Sequence, residues 1–461
     1  MQTKTAMNVS RKKILNRVLL VAGLAVLLYI VRYAWVSFPI MSGFTAKNMC
    51  SCVFVAGRTD SSVVAEELSD FPLSLADYTI DRATGSVTAT VLGMARKKAI
   101  YRKGLGCTLV NGLDEAAIRS QPGAPQLVTV ADTAMQRVSM NTASIDHPAL
   151  DKILQQHVNL RNQKGQHEAR AVVVLYDGQL LGEQYAPGFD KNSRMLGWSM
   201  AKSITGALVG LLVQQGKLDV NKRAPVPEWA DAKDERHAIT LHHLLQQTSG
   251  LDFEENYAKY SDATRMLFGK ADMAAYAASR PLKLAPGTQF YYSSGNSNIL
   301  SRIVRQTVGD QNYYSFIYDS LFRKIGMHSA VMEADASGTM VGSSYVFATA
   351  RDWAKLSLLY YTNGVVNGQK LFTDDWVKQT VTPSSADKLQ QYGYQFWLNG
   401  FDNDNHTQRK FPAAPADMFY AGGYAGQNVF IIPSKKLVIV RLGFKAYDAN
   451  VLLGDILKCV R

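Results

Sequence analysis

The opening stretch decides how the rest of this chain can fold. No acid occurs before Asp60, while Lys4, Arg11, Lys12, Lys13 and Arg17 precede the uninterrupted apolar run Val18 to Val31. Basic flanks are held on the cytoplasmic side of a membrane, so whatever follows the run is expected on the far side. As a helix the run alone reaches about 21 Å, short of a hydrocarbon core of roughly 30 Å and close to a signal-peptide core. Ile14 and Leu15 before it, with a snorkelling Arg32 and the belt residues Tyr33 and Trp35 after it, lengthen it to a tilted span. No Ala-x-Ala cleavage site follows; Gly43-Phe44-Thr45 is the nearest approach to one. The reading is an uncleaved single-pass signal anchor over residues 1–37. A cleaved peptide and a buried core helix are the alternatives.

The formal charge of +12 would suit a nucleic-acid binder if it were spread over the body. It is not. Lys4, Arg11, Lys12, Lys13, Arg17 and Arg32 lie around the anchor, and Arg96, Lys97, Lys98, Arg102 and Lys103 form one further cluster, which leaves about one positive charge for everything else. A body so near neutrality offers phosphates no broad basic face, and nucleic acid is excluded as a partner. With 461 residues, 47% of them hydrophobic, the chain can bury substantial cores and is not disordered. Its four cysteines are Cys50, Cys52, Cys107 and Cys459. Cys50 and Cys52 stand too close in sequence to bond without strain, so in an oxidising space one of them is expected to pair with Cys107; four small buried hydrophobes are the alternative. No Cys-x-x-Cys and no His-Glu-x-x-His spacing occurs, so neither a metal nor any other cofactor is expected.

Beyond the anchor, Ser37 to Thr45 reads as a tether and residues 38–145 as an N-terminal extension of mixed short patterns that ends in Gln121-Pro122-Gly123-Ala124-Pro125. Asp146-His147-Pro148 then looks like a helix cap, opening a third region, 146–461. His157, on the apolar face of that helix, is expected to be packed. Ala171 to Tyr176 and Gln179 to Tyr185, joined by Asp177-Gly178, read as a hairpin. Met200 to Gln215 is an apolar helix closed by Gly216, Ile239 to Gln247 a second helical pattern, and the middle of the chain to about residue 340 is helix-rich. Asn428 to Pro433 and Leu437 to Leu442 are adjacent strands. Strands at both ends enclosing helices predict an α+β body whose terminal strands share one antiparallel sheet, flanked by helices and carrying an inserted helical subdomain.

Three short stretches could carry chemistry. In Gly197-Trp198-Ser199-Met200-Ala201-Lys202, a serine at a helix start and a lysine one turn on share a face. A buried amine can be neutral enough to take the serine's proton, and the helix start offers donors for an oxyanion. Read blandly, this is a cap serine with a surface lysine. In Tyr291-Tyr292-Ser293-Ser294, after Pro286-Gly287, a phenol is set beside small hydroxyls, where a lysine ammonium could stabilise its phenolate for proton shuttling. Ordinary packed turn tyrosines are the alternative. In Ala421-Gly422-Gly423-Tyr424-Ala425-Gly426, glycines at a strand entry allow close backbone approach, with the Tyr424 N–H as a second oxyanion donor, or else a simple bulge.

These motifs, in this order, together with Thr240 to Gly250, resemble the serine β-lactamase and penicillin-binding-protein superfamily, in the branch of class C β-lactamases, family VIII-type esterases and 6-aminohexanoate-dimer hydrolases. The resemblance spans about residues 146–461 and implies a β-lactamase/transpeptidase-like fold. It implies Ser199 as the acylated nucleophile, Lys202 and Tyr292 as proton-transfer partners, and Ser294, Gly423 and Tyr424 lining the oxyanion and substrate site. Ala421 replaces the cation with which β-lactamases hold a carboxylate, which argues against β-lactams as the main substrate. An α/β-hydrolase reading fails because the motif ends in Ala201 rather than glycine. The expectation is a serine hydrolase acting on a small amide or ester, its catalytic domain periplasmic or extracellular. A non-catalytic or slowly deacylating anchored receptor is the alternative.

Overall fold

The computed structural model describes residues 2–125, 135, 145–231, 233–444 and 447–460, with side chains from residue 14 onward. Helix α1, Gln2–Phe54, runs without interruption through the apolar run and onward. It is long and apolar enough to cross a membrane, by length and composition, and its side chains from Ile14 to Val31 lie exposed. The side chains of Lys4, Arg11, Lys12 and Lys13 lie outside the described ones.

The tether expected at Ser37 to Thr45 is absent: these residues are helical, and from Met41 the helix is buried. Pro39 sits inside it, where a proline removes one backbone donor, and the helix continues through it into the buried stretch that begins at Met41. Met49, Cys50 and Val53 pack on Val87 and Ala89 of strand β2 (Ser86–Val91), Ala99 of β3 (Met94–Arg102), and Cys107 and Leu109 of β4 (Gly106–Leu109). With β1 (Ala76–Asp81) these form a four-stranded antiparallel sheet in sequential order. Cys50 and Cys107 are bonded; Cys52 and Cys459 are free and buried. Thus the pairing open at the level of sequence falls on Cys50.

The body holds the terminal strands in one six-stranded antiparallel sheet, as expected. Its order is β7 (Trp397–Leu398), β8 (Phe419–Gly423), β9 (Gln427–Ile432), β10 (Leu437–Gly443), β5 (Ala169–Tyr176) and β6 (Gln179–Tyr185). Asp177 and Gly178 both take positive φ, the turn that matches strand twist. Strands β5 and β10 are buried on both faces. Val172, Val174 and Ile439 face α2 (His147–Asn159) and α6 (Ala449–Lys458); Val173, Val438 and Val440 face α3 (Ala201–Gln214) and α5 (Ala350–Tyr361). Asp146 caps α2 by accepting from the Ala149 N–H, and His157 packs against Asp455. The second helical pattern is shorter than expected, Leu241–Leu245, because the chain turns at Gln246 and Gln247 takes positive φ. Between the strand groups lie further helices, including α4 (Ser294–Val308), which form the helical subdomain.

The core facing α3 and α5 is continuous with the one around Met49 and Cys50, so the N-terminal sheet and the body are one packed unit. Two polar clusters cross the junction. Lys47 Nζ pairs with Glu333, both buried; the same carboxylate accepts from Ser51 Oγ at 2.9 Å and from the Cys107 N–H at 2.6 Å. Burial pulls the Lys47 ammonium below the usual amine range while Glu333 opposes that shift. Arg170 on β5 and Arg58 both donate to Glu67, each at 2.7 Å.

Candidate active site

Ser199 lies in a short 3₁₀ turn, Trp198–Met200, that leads directly into α3. Trp198 holds a positive φ of 48°, uncommon for a bulky residue, so the turn is maintained by its surroundings. Those surroundings are aromatic. Phe44 of α1 stacks on the indole at 6.4 Å, Tyr345 packs at 6.1 Å, and Tyr424 meets it edge-on at 5.7 Å. Helix α1 therefore touches the residue next to the serine.

One turn along α3, Lys202 is 1% exposed, which excludes the surface-lysine reading. Its Nζ reaches Ser199 Oγ at 3.2 Å, Ser294 Oγ at 3.0 Å and the Ser343 carbonyl at 3.0 Å. Burial lowers its pKa to about 8, against the opposing charge of Glu255. An amine poised there exchanges its proton near neutrality, which suits a general base.

Tyr292 comes from the turn before α4. Its ring stacks on Trp397 at 5.0 Å and lies 4.8 Å from Lys202 Nζ. The turn is tied to the Thr240 to Gly250 segment by Gln247, whose carbonyl accepts from the Tyr291 N–H at 2.9 Å and whose side chain accepts from the Ser293 N–H at 3.0 Å. Burial raises the phenol's pKa, the Ser199 hydroxyl pulls it down by hydrogen bonding, and Glu255 pushes it up. These causes together favour the neutral phenol over the phenolate considered from sequence, and Lys202 stands over the ring face.

Ser294, the first residue of α4, is the hub of the polar network. Its hydroxyl accepts from Lys202, donates to Glu255 Oε1 at 2.6 Å and lies 2.8 Å from the Tyr257 hydroxyl; its N–H donates to Glu255 Oε2 at 2.8 Å. Tyr257 also donates to Glu255, at 2.7 Å. Glu255, Tyr257 and the Ser343 carbonyl were missed from sequence. The segment of the first two, Glu254-Glu255-Asn256-Tyr257, has no regular period, and only an acid near a tyrosine could have drawn notice.

Gly423 ends β8 against the nucleophile turn so closely that a Cβ there would lie 2.1 Å from the Gly197 carbonyl oxygen. No side chain fits. Tyr424 follows at the strand-to-turn junction, its ring 66% exposed beside Trp198. Ser199, Lys202, Tyr292 and Ser294 are thus brought into one cluster, with Gly423 and Tyr424 on its rim. Among the described residues no group of His, Cys, Asp and Glu could hold a metal ion.

Comparison with known proteins accords with this fold. A 6-aminohexanoate-dimer hydrolase from Paenarthrobacter ureafaciens is 26% identical over 288 residues, 59% of this chain and 71% of that protein. A candidate 6-aminohexanoate-dimer hydrolase from Bacillus anthracis superposes with a TM-score of 0.55 at 19% identity, covering 73% of this chain and 88% of its own. A family VIII carboxylesterase does so with a TM-score of 0.54 at 14% identity, covering 67% of this chain and 97% of its own. The β-lactamase family itself matches residues 150–451, well over half of the chain and every residue of the cluster just described, and to that family this chain belongs.

Proposed function

We propose that the chain is a membrane-anchored serine hydrolase that cleaves a small amide or ester through an acyl-enzyme on Ser199. The observation that carries this is the buried Lys202 amine, which reaches both Ser199 Oγ and Ser294 Oγ. Neutral Lys202 takes the Ser199 proton as Oγ attacks the substrate carbonyl carbon, and the proton returns to the departing amine or alcohol through the Tyr292 phenol. The N–H groups of Ser199 and Tyr424 receive the oxyanion. Water then hydrolyses the ester on Ser199, with the same groups serving in reverse. No metal or organic cofactor takes part. Residues 1–37 anchor the chain in the inner membrane with the site periplasmic or extracellular, and residues 38–145 form an N-terminal extension of the hydrolase region 146–461.

The test is hydrolysis by the full chain of p-nitrophenyl esters, short amides, D-amino peptides and a chromogenic β-lactam, beside phosphatase fusions after residues 13 and 60. Ester or amide turnover well above β-lactam turnover is expected, since Ala421, buried and paired with Val429, offers no cation to a carboxylate. The fusion after residue 60 should be the active one. Stoichiometric acylation without turnover would instead mark a receptor, and efficient cephalosporin hydrolysis would overturn the substrate class.

In this scheme burial sets the working pH and Glu255 trims it. The rate constant kcat/KM should rise as pH passes about 8, where Lys202 loses its proton. Because the carboxylate favours the ammonium, Glu255→Gln should move that rise to lower pH. A pH–rate profile that stays in place or moves upward would show that Lys202 is not the titrating base.

A further inference from the structure

The hairpin formed by β2 and β3 ends in an arrangement that packing within the protein does not explain. Val91 pairs with Met94, so Leu92 and Gly93 form a two-residue turn in which both take positive φ. Asparagine and glycine are the inexpensive residues for such a turn, whereas leucine is strained in it. Leu92 is nonetheless 61% exposed and Met94 54%, so neither the strain nor the exposure is offset by burial.

Two contacts place this tip relative to α1. Ser42 Oγ donates to the Ala95 carbonyl at 2.5 Å, and Phe54 stacks on Tyr101 at 5.6 Å. Between these contacts the helix rises about 18 Å and the strand advances about 20 Å, so β3 runs alongside α1 in the same direction. Continued backward past the bulge at Ala95, where one residue of the strand is extra, the chain brings Leu92 and Gly93 level with about Ser37 to Pro39 of the helix, roughly 3 Å from Val36. Val18 to Val36 spans about 28 Å, close to the thickness of a hydrocarbon core, so Val36 marks its outer boundary. Trp35, 82% exposed, lies at the same level. Arg96, exposed just above the tip, falls at headgroup height.

From this juxtaposition we infer that the Leu92-Gly93-Met94 tip is a second membrane contact, inserted into the outer edge of the bilayer beside the anchor with Arg96 among the lipid headgroups. The inference rests on reading α1 as a membrane span. A single helix leaves a body free to turn about its axis; two points of contact fix which way it faces. Phe44, stacked on Trp198 beside Ser199, is about 12 Å along the helix from Val36, so the active site is held just above the headgroups. The substrate this placement favours is an amide or ester on an amphiphile resident in the membrane.

The test uses the full chain in phosphatidylethanolamine–phosphatidylglycerol vesicles, with an environment-sensitive fluorophore on Leu92→Cys, Met94→Cys, Leu24→Cys or Ala83→Cys. The native thiols are buried or bonded. Ala83 occupies the turn at the far end of β2 and is exposed. Nitroxide lipids should quench the labels at 92 and 94 at least threefold more than the label at 83, and the label at 24 most of all. Quenching at 24 with none above the Ala83 level at 92 and 94 would overturn the second contact and leave the anchor standing. Loss of quenching at 24 as well would overturn the anchor. A blue-shifted but unquenched label at 92 and 94 would mean that a protein surface covers the tip, and would equally overturn the inference.

Discussion

Replacing Ser199 with alanine should reduce hydrolysis by a factor on the order of 10⁴ or more, since on the proposed acyl-enzyme route nucleophile and base act as a unit and removing one member forfeits the covalent path. A serine-reactive phosphonate should add to the parent chain and leave the variant unlabelled in intact-mass spectra. Folding should be almost unaffected: the turn from Trp198 to Met200 has no side-chain cap from Ser199, and the aromatic setting of Trp198 is untouched. A variant that still forms the adduct would move the nucleophile elsewhere. Lys202→Ala differs in being able to acylate slowly, because the oxyanion donors survive it.

The second large effect is on stability. Glu333→Ala removes the partner of a buried ammonium and also the acceptors for Ser51 Oγ and the Cys107 N–H, so a loss of about 3–5 kcal/mol is expected. Urea unfolding of the detergent-solubilised chain would read it. The double variant Lys47→Met/Glu333→Gln should recover most of the loss, because it buries no charge and retains an acceptor for the Cys107 N–H. A Glu333→Ala variant within 1 kcal/mol of the parent would mean that water reaches the site.

How much of this was legible in the sequence follows from where each signal resides. Asp146 before Pro148, Asp177-Gly178 between two apolar runs, and Gly216 after Gln215 are local devices, and each marks its element in the structure. Ser199, Lys202, Tyr292 and Ser294 were legible because each lies in a short motif with its own turn or helix start. Glu255 was not, since its place depends on a chain path from Gly250 to Ser261 that no periodicity records. Ser37 to Thr45 misled for a related reason. Small and polar residues there suggest a linker, yet Ser42 serves β3 and Gly43 lies against Phe268, contacts made with residues far along the chain.

The Lys47–Glu333 pair bears on biosynthesis. Its partners are 286 residues apart, so at 5–20 residues per second a ribosome needs roughly 15 to 60 s between making the lysine and making the glutamate. On the topology proposed above, the outer half of α1 would emerge beside the membrane throughout that interval with an unpaired ammonium and an uncovered apolar face, of which the β1–β4 sheet could shield only part. The segment translated first is therefore among the last to be satisfied. On that topology, an envelope chaperone that holds residues 41–55 until residue 333 has crossed would raise the yield of folded protein.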